Sequence, residues 1–453
     1  MVFLILILIL ILILPKGGRW FMQRALALYG LVLLGKTLAA QPAPVAVVRA
    51  GMLIDGQGGA PIRNAVIIVE GERIKQVGSA IATPAGANVI DLSGFTVLPG
   101  FIDAHTHLAY AEIKETGWDD AYARWTPADW ALIGAAHARQ SLETGFTTVR
   151  EVGSQWFADV SLRNAINAGR VPGPRIQAAA HAISISGGHC DNSSGFAPNA
   201  FGREPGITEG IANTPDQIRA AIRYQVKYGA DVIKICATGG VVSFGDSAGA
   251  EQYNFEELKA AVEAAHLAER RIAAHAHGTA GIKAAVRAGV NSIEHGSMLD
   301  EEAVRLMVER GTYLVSTLSA GAAVAEMGRK GTLPPGLAEK GILVGDAMPR
   351  SFRMAVKAGV KIALGVDNVF DSRANDAHEF TLMVQAGMTP AQAIAAGTRV
   401  AAELLGWEKH VGTVQPGRFA DLVAVRGDPL TDITALERAV VVIKGGAIMK
   451  DRR

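Results

Sequence analysis

The sequence has few cysteines and almost no net charge, and both shortages exclude classes of protein. Its 453 residues include two cysteines, Cys190 and Cys236. Two are too few for the disulfide framework of a small secreted scaffold, and they leave the redox compartment open. Lys and Arg total 44 against 43 for Asp and Glu, a formal charge of +1, so the basic excess typical of nucleic-acid binding is missing. We therefore expect a small-molecule partner and no nucleic acid.

The sequence also lacks an apolar run long enough to span a bilayer. Residues 2–14 are thirteen consecutive apolar residues, fewer than the roughly 18–20 that a spanning helix needs. A second segment begins at Met22, with a positive charge at Arg24, a mostly apolar stretch at 25–34 and small residues at 37–40. This order is typical of a secretory signal peptide. We predict that residues 1–41 are an apolar leader with its biological start at Met22. The mature chain would then be secreted or periplasmic, without a stable membrane span. A genuine double anchor is the alternative.

Residues 30–37 match the nucleotide-binding pattern G-x-x-x-x-G-K-[ST]. A functional loop of this type follows a strand and opens a helix inside an α/β domain. Here the match lies within the predicted leader, so we reject a nucleotide site.

The predicted secondary-structure pattern changes twice along the rest of the chain. Short β-type runs separated by glycine-rich turns fill residues 45–100 and return after Trp407, whereas strand-like runs alternate with helical stretches between them. Such alternation predicts βα units around a parallel barrel. We predict an α/β fold with a (β/α)8 TIM barrel over residues 98–406 and a small β-sandwich domain built from residues 42–97 and 407–453. The eight predicted barrel strands are 96–107, 147–152, 175–183, 232–237, 271–277, 292–295, 313–317 and 361–367.

One lysine in the fourth predicted strand needs an explanation. Lys234 shares its strand face with Val232 and Cys236, which marks that face as interior. A buried lysine is paired or loses its charge, because desolvating an ammonium is costly. Lys234 therefore indicates chemistry or a buried ion pair.

Five of the predicted strands end in groups that bind metals, at the barrel face where active sites lie. His105 and His107 are two apart on one strand, so both imidazoles point the same way. A lone H-x-H would more often be two core histidines, but five such strand ends together favour a metal centre. The candidate ligands are His105, His107, Lys234, His275, His295 and Asp367.

A neutral lysine amine can combine with CO2 to give an anionic carbamate that bridges two cations, whereas an ammonium would repel them. This favours an N-carboxylated Lys234 between two divalent metals. A lysine paired to a carboxylate away from the site is the alternative.

The sequence around these residues resembles the amidohydrolase superfamily of metal-dependent hydrolases. The resemblance rests on residues 97–107 (VLPGFIDAHTH), residues 412–422 (GTVQPGRFADL) and the ligand order H-x-H, Lys, His, His, Asp. Residues 186–189 (SGGH) and 274–278 (AHAHG) are similar to the branch of imidazolonepropionase-like proteins, prolidase-like carboxypeptidases and ochratoxin-hydrolysing amidohydrolases. The resemblance implies a binuclear, usually zinc, centre that hydrolyses an amide bond beside a carboxylate-bearing amino acid, in a chain that often forms homo-oligomers.

The resemblance also implies roles for single residues. His105, His107 and Asp367 would hold one metal, His275 and His295 the other, with carboxylated Lys234 between them. Asp367 would accept and return the proton, and His277 would stabilise the oxyanion of the scissile carbonyl. The predicted substrate contacts are His189, His277, Val242 and Tyr228. Arg150 could bind a substrate carboxylate, but an ion pair with Glu151 is favoured.

We thus predict a binuclear amidohydrolase that cleaves N-acyl amino acids or dipeptides, with ochratoxin A as a plausible substrate. The alternative is a mononuclear cyclic-amide hydrolase or deaminase of the imidazolonepropionase type, which has no use for Lys234. A catalytically inactive scaffold is a third reading, which the intact ligand set disfavours.

Overall fold

The computed structural model describes residues 45–111, 118–198, 200–369 and 373–453. The predicted leader lies outside these ranges. No helix in them has both the length and the hydropathy needed to cross a bilayer. The helices are α1 (Trp118–Arg124), α2 (Pro127–Glu143), α3 (Ala158–Asn167), α4 (Pro215–Lys227), α5 (Phe255–Leu267), α6 (Thr279–Ala288), α7 (Glu301–Arg310), α8 (Leu318–Arg329), α9 (Pro335–Ala358), α10 (His378–Gln385), α11 (Pro390–Ala396) and α12 (Arg399–Leu405).

The strands form one mixed sheet and two parallel ones. They are β1 (Val45–Leu53), β2 (Ile62–Glu70), β3 (Arg73–Gly78), β4 (Asn88–Pro99), β5 (Phe101–Thr106), β6 (Phe146–Glu151), β7 (Arg175–Ala178), β8 (Val232–Cys236), β9 (Arg271–Ala276), β10 (Ser292–His295), β11 (Tyr313–Val315), β12 (Leu422–Val425), β13 (Val441–Lys444) and β14 (Ala447–Asp451). The parallel sheets have the orders β5-β6-β7 and β11-β10-β9-β8. Between most of these strands run the helices that the sequence predicted.

Local sequence explains where these helices begin. Helix α4 starts at Pro215, which has no N–H to leave unpaired, and the Thr214 side chain accepts a hydrogen bond from Gln217 N. Helix α7 starts after Asp300, which caps Ala303 N in the same way. In both helices a capping side chain therefore satisfies a backbone N–H of the first turn, which fixes where the helix begins.

A few backbone hydrogen bonds on each side link the two parallel sheets. On one side Ile183 N donates to Lys234 O (2.8 Å). On the other, residues 361–364 bridge β11 and β5, with Ala363 N donating to Leu314 O (3.0 Å) and Ala104 N donating to Leu364 O (2.8 Å). The arrangement is TIM-barrel-like, although the described strands do not form a continuously closed barrel.

The predicted eighth strand, 361–367, is wrong as a regular strand. Only one bridge, between Leu314 and Ile362, involves this segment. The backbone leaves the extended region at Asp367, whose φ is 55°. Residues 361–367 therefore join the barrel as an irregular segment that ends at Asp367, where the backbone turns.

Both ends of the described chain meet in one seven-stranded sheet of order β14-β13-β12-β4-β1-β2-β3. In it β12 pairs antiparallel with β4, with Leu422 opposite Pro99. Because these strands pair as one continuous sheet, the predicted sandwich of two sheets is not confirmed. Segments from both ends of the described chain contribute strands to this sheet.

The faces of β12 connect this sheet to the barrel. Leu422 and Ala424 pack in the sheet's own apolar cluster, whereas Val423 and Val425 pack in the large cluster that contains the barrel strands. This alternation follows from the two-residue period of a strand. The sheet therefore supports the barrel and leaves the strand ends free for chemistry.

Candidate metal centre and active site

Strand β5 directs two histidines towards one carboxylate. His105 Nδ1–H donates to Glu294 Oε2 (2.7 Å), and His107 Nδ1–H donates to Gly153 O (3.0 Å). Because each Nδ1 holds the proton, each Nε2 keeps a free lone pair. The two Nε2 atoms lie 3.6 and 3.5 Å from Asp367 Oδ1.

Asp367 reaches this point through strained backbone. Its φ of 55° lies in the left-handed region, as do those of His295 (71°) and Thr317 (53°). Such a conformation costs a non-glycine residue about 1–3 kcal/mol and is concentrated at functional sites. Asp367 N–H donates to His105 O (2.8 Å), which fixes the turn. Burial raises the pKa of Asp367 to about 7, and the Lys234 charge opposes this rise.

Two more histidines, His275 and His295, lie beside these ligands. His275 Nε2 is buried and has no hydrogen-bond partner among the described residues. His295 Nδ1 contacts Thr317 Oγ1 at 2.8 Å. The ring centroids of His275 and His295 lie 4.7 Å apart. A buried nitrogen without a partner is costly unless something absent from the protein, such as a cation, binds it.

Lys234 faces the same space from β8. It is 3% exposed, and in the described residues its ammonium forms no ion pair. Burial lowers the pKa of Lys234 to about 8, although the charges of Glu294 and Asp367 oppose this shift. The amine is therefore closer to its neutral, CO2-reactive form than a surface lysine would be.

Arg150 lies under the site, and its predicted pairing with Glu151 is wrong. Arg150 instead donates to Ala104 O (2.6 Å), Ser292 Oγ (3.1 Å) and Glu294 Oε1 (2.8 Å). Adjacent strand residues point to opposite faces, so Arg150 and Glu151 could not meet. Arg150 orients the Glu294 carboxylate that in turn holds His105. Arg150 is not among the residues that line the cavity over the site, so it is not placed to bind a substrate carboxylate.

Glu294 was not among the predicted site residues, although it stands beside His295 in the sequence. Its side chain is fully buried between His105 and Arg150. The available signal was a carboxylate inside an apolar strand, which has to meet a cation or a proton donor. Glu294 thus binds the Nδ1 side of His105 and leaves the opposite nitrogen, Nε2, for a metal ion.

The described ligands fit divalent cations. One nitrogen of His105, one of His107 and one oxygen of Asp367 lie within 4.8 Å of one another. Imidazole nitrogen with carboxylate oxygen is a donor set that zinc and similar ions prefer. His275 Nε2, which has no hydrogen-bond partner among the described residues, is a further candidate ligand on the same cavity.

A cavity of about 130 Å³ opens over these ligands. His189 and Val242, both predicted substrate contacts, line it. Loop residues that the sequence did not single out also line it: Tyr110, Gln155, His181, Asn192 and Glu209. These positions belong to no repeating pattern, so no sequence signal marked them.

The remaining predicted contacts differ in position. His277 is buried beside the ligands, its ring centroid 4.6 Å from that of His275, and its Nδ1 contacts Ser297 Oγ at 2.7 Å. Tyr228 does not line the cavity. It follows α4, ahead of β8, is 46% exposed, and packs on Phe157 and Tyr224. Since it precedes the strand whose far end bears the site, it is removed from the substrate contacts.

Comparison with protein families identifies a match to the amidohydrolase family over residues 96–448. The chain is 34% identical over 432 residues to ochratoxinase from Aspergillus niger, an alignment that spans 90% of this chain and 87% of that protein. The family match spans the positions of every candidate ligand, from His105 to Asp367.

Solved structures give the same picture. A Xaa-Pro dipeptidase with methionine bound in its active site is 39% identical, with a TM-score of 0.85, and the match covers 89% of this chain and 99% of that one. A prolidase complexed with N-methylphosphonate-L-proline is 32% identical, with a TM-score of 0.82, over 90% of this chain and 100% of the other.

Proposed function

This chain belongs to the amidohydrolase family and is a hydrolase, and from that premise we propose that it cleaves the amide bond of N-acyl amino acids or dipeptides with two divalent metal ions. The observation that carries the proposal is the convergence of free imidazole nitrogens, a strained carboxylate and a buried lysine on one cavity.

The donor set divides into two groups. His105, His107 and Asp367 would hold one ion, and His275 and His295 the other. An N-carboxylated Lys234 would lie between them. Its side chain is buried on the same cavity, and among the described residues no carboxylate forms an ion pair with it. A mononuclear ring hydrolase of the imidazolonepropionase type is the weaker candidate, because it gives Lys234 no function.

The protein's own groups can manage the proton. When bound, divalent cations polarise a carbonyl and make a water more acidic. Asp367 has one oxygen towards His105 and His107 and the other towards His295. From that position its carboxylate can accept a proton from water and pass it to the leaving amine. His277 is the group we assign to the developing oxyanion, with Ser297 holding its other nitrogen.

Two relatives support the substrate class. One is an ochratoxinase and another a prolidase with a proline phosphonate bound. The cavity wall contributes the apolar Val242 next to polar Tyr110 and Asn192. We propose an amide with a carboxylate-bearing amino acid as leaving group and an apolar acyl part. Ochratoxin A, zinc and a homo-oligomeric state are the specific expectations that follow.

The test combines metal analysis with a substrate panel. The protein, supplied with zinc, is offered N-acyl amino acids, dipeptides, ochratoxin A and lactones, and bound metal is counted per chain. We expect two metals and amide hydrolysis. Hydrolysis of lactones without any amide would overturn the assignment, and absence of bound metal would revive the inactive-scaffold reading.

We also propose export to the periplasm or medium through residues 1–41. A disulfide joins Cys190 and Cys236, with their Cα atoms 6.1 Å apart, and such bonds persist in oxidising compartments. N-terminal sequencing of the mature protein tests this, because a start near Gln41 is expected and an intact leader would contradict it.

A further inference from the structure

One buried carboxylate organises the loop of residues 239–254 that follows β8. Asp246 is 8% exposed at its side chain and accepts hydrogen bonds from Ser243 Oγ (2.9 Å) and Lys340 Nζ (2.8 Å). It also accepts from Gly240 N and Gln252 Nε2, each at 3.2 Å. All of its partners are donors, as an ionised carboxylate requires.

This arrangement decides the direction of the next hydrogen bond. Ser243 Oγ has one hydrogen, and the Asp246 carboxylate has none to offer, so Ser243 donates to Asp246. Ser243 Oγ also lies 2.9 Å from His189 Nδ1. With its hydrogen already used, Ser243 can only accept there, and His189 Nδ1 must carry the proton.

The opposite nitrogen of His189 is therefore a bare acceptor. His189 lines the cavity over the ligands, and its ring stacks on His275 at 4.1 Å between centroids. Two further restraints hold it: its backbone N–H donates to Gln252 Oε1 (3.0 Å), and the adjacent Cys190 is tied to Cys236. These contacts fix the position of His189, so its Nε2 can accept a hydrogen bond from a molecule in the cavity.

We propose that Lys340, Asp246 and Ser243 are positioning residues that fix His189 with Nε2 as a hydrogen-bond acceptor for an N–H group of the substrate. The inference rests on the proposed function and adds a selection rule to it. His277 differs from His189. Its partner Ser297 donates to no carboxylate among the described contacts, so the tautomer of His277 is not fixed in the same way. The chemistry selected is a nitrogen that bears hydrogen.

A substrate of the proposed class can offer such a nitrogen in two places. A secondary scissile amide has an N–H, which an amide to proline lacks. A dipeptide has a free amino group, which an N-acetyl amino acid lacks. Four substrates separate these sources: alanyl-phenylalanine has both groups, N-acetyl-phenylalanine only the amide N–H, alanyl-proline only the amine, and N-acetyl-proline neither.

The experiment compares Ser243→Ala with the unaltered enzyme on all four substrates. Loss of one neutral hydrogen bond corresponds to about a tenfold fall in kcat/KM, expected wherever the recognised donor is present, while N-acetyl-proline changes by less than about twofold. Whichever single-donor substrate is affected identifies the source. Ser247→Ala, an exposed serine of the same loop, is the matched control, and Ser243→Thr, which keeps the hydroxyl, should restore selectivity. An equal loss on all four substrates would show a merely structural role and overturn the proposal.

A second measurement does not depend on turnover. Nitrogen-15 NMR of labelled histidines, with His189→Gln to assign the signal, reports which ring nitrogen is protonated. We expect Nδ1–H in the unaltered protein and a mixture of tautomers in Ser243→Ala or Lys340→Met. Nε2–H in the unaltered protein would refute the relay even if no substrate of the panel is cleaved, whereas failure of all four substrates with Nδ1–H intact would refute only the proposed function.

Discussion

The strand ends that carry the candidate ligands and the loops that wall the cavity hold their side chains in different ways. His105, Lys234 and His275 project from strands whose two-residue period sets their direction. The walls depend on distant partners: Lys340 on α9 reaches Asp246, 94 residues away in sequence, to fix the loop behind His189. The positions of the candidate ligands are thus set by local strand geometry, whereas the positions of the cavity-wall residues are set by tertiary contacts.

The largest effect should come from removing a strand-borne bridge. Lys234→Ala deletes the proposed carbamate, and we expect fewer than two metals per chain and a loss of activity on the order of 10³-fold, comparable to losing a main electrostatic stabiliser. Metal analysis and amide hydrolysis measure both. The exposed Lys357→Ala is the control. Two bound metals with normal activity in Lys234→Ala would rule out the bridge.

A smaller effect is expected from the residue behind a ligand. Glu294→Gln leaves an amide that cannot serve both His105 and Arg150 as the carboxylate does. Changes of this kind cost about 10–100-fold in metal affinity or activity. Competition with a chelator measures the affinity, with exposed Glu309→Gln as reference. Unchanged metal affinity would mean that strand geometry alone holds His105.

A loop change tests the other side of the comparison. A Cβ at Gly240 would lie 2.3 Å from His189 Nδ1, so Gly240→Ala must displace that ring. We expect two metals to remain while kcat/KM falls about 10–100-fold, as for a misplaced contact group. Gly59→Ala, where a Cβ meets nothing within 4 Å, is the control. Loss of metal would show that the two regions are not separable.

The sequence allowed prediction of the first region and not of the second. His105 and His107 could be assigned because strand spacing and residue type together specify a ligand pair, and Lys234 because charge is out of place on an apolar face. Tyr228 is not among the residues that line the cavity, because the aromatic type of a residue carries no information on which end of the barrel it occupies. Gln155 and Asn192 belong to irregular backbone, whose course is set only after the barrel has formed.

Acid should destabilise the metal-free protein through the same cluster. Burial lowers the pKa of His107 and of His277 from the usual 6.5 to about 3. Between those values the unfolded chain binds protons that the folded chain does not. For each such group the free energy of unfolding therefore falls by about 1.4 kcal/mol per pH unit as the pH falls. Asp367, whose pKa is raised to about 7, contributes in the opposite direction, but the histidines of the cluster outnumber it. Thermal melts from pH 7 to pH 4 measure this. His277→Gln should flatten the profile, exposed His378→Gln should not, and a profile independent of pH would contradict it.

The smallest effect is expected at Tyr228. Tyr228→Phe alters an exposed residue away from the cavity, so kcat/KM should change by less than about twofold. Tyr110→Phe, which changes a cavity residue, is the comparison and should have the larger effect. A reversed order, measured with the same amide substrate, would return Tyr228 to the substrate contacts.

The pairing of β12 with β4 has a consequence for biosynthesis. Leu422 and its neighbours cannot meet Pro99 until more than three hundred further residues have left the ribosome after β4. Until then the edge of β4 is unpaired, and open strand edges invite pairing with other chains. Deleting the segment from β12 onwards would make that exposure permanent. We therefore expect shortened chains to aggregate even though they retain every candidate ligand.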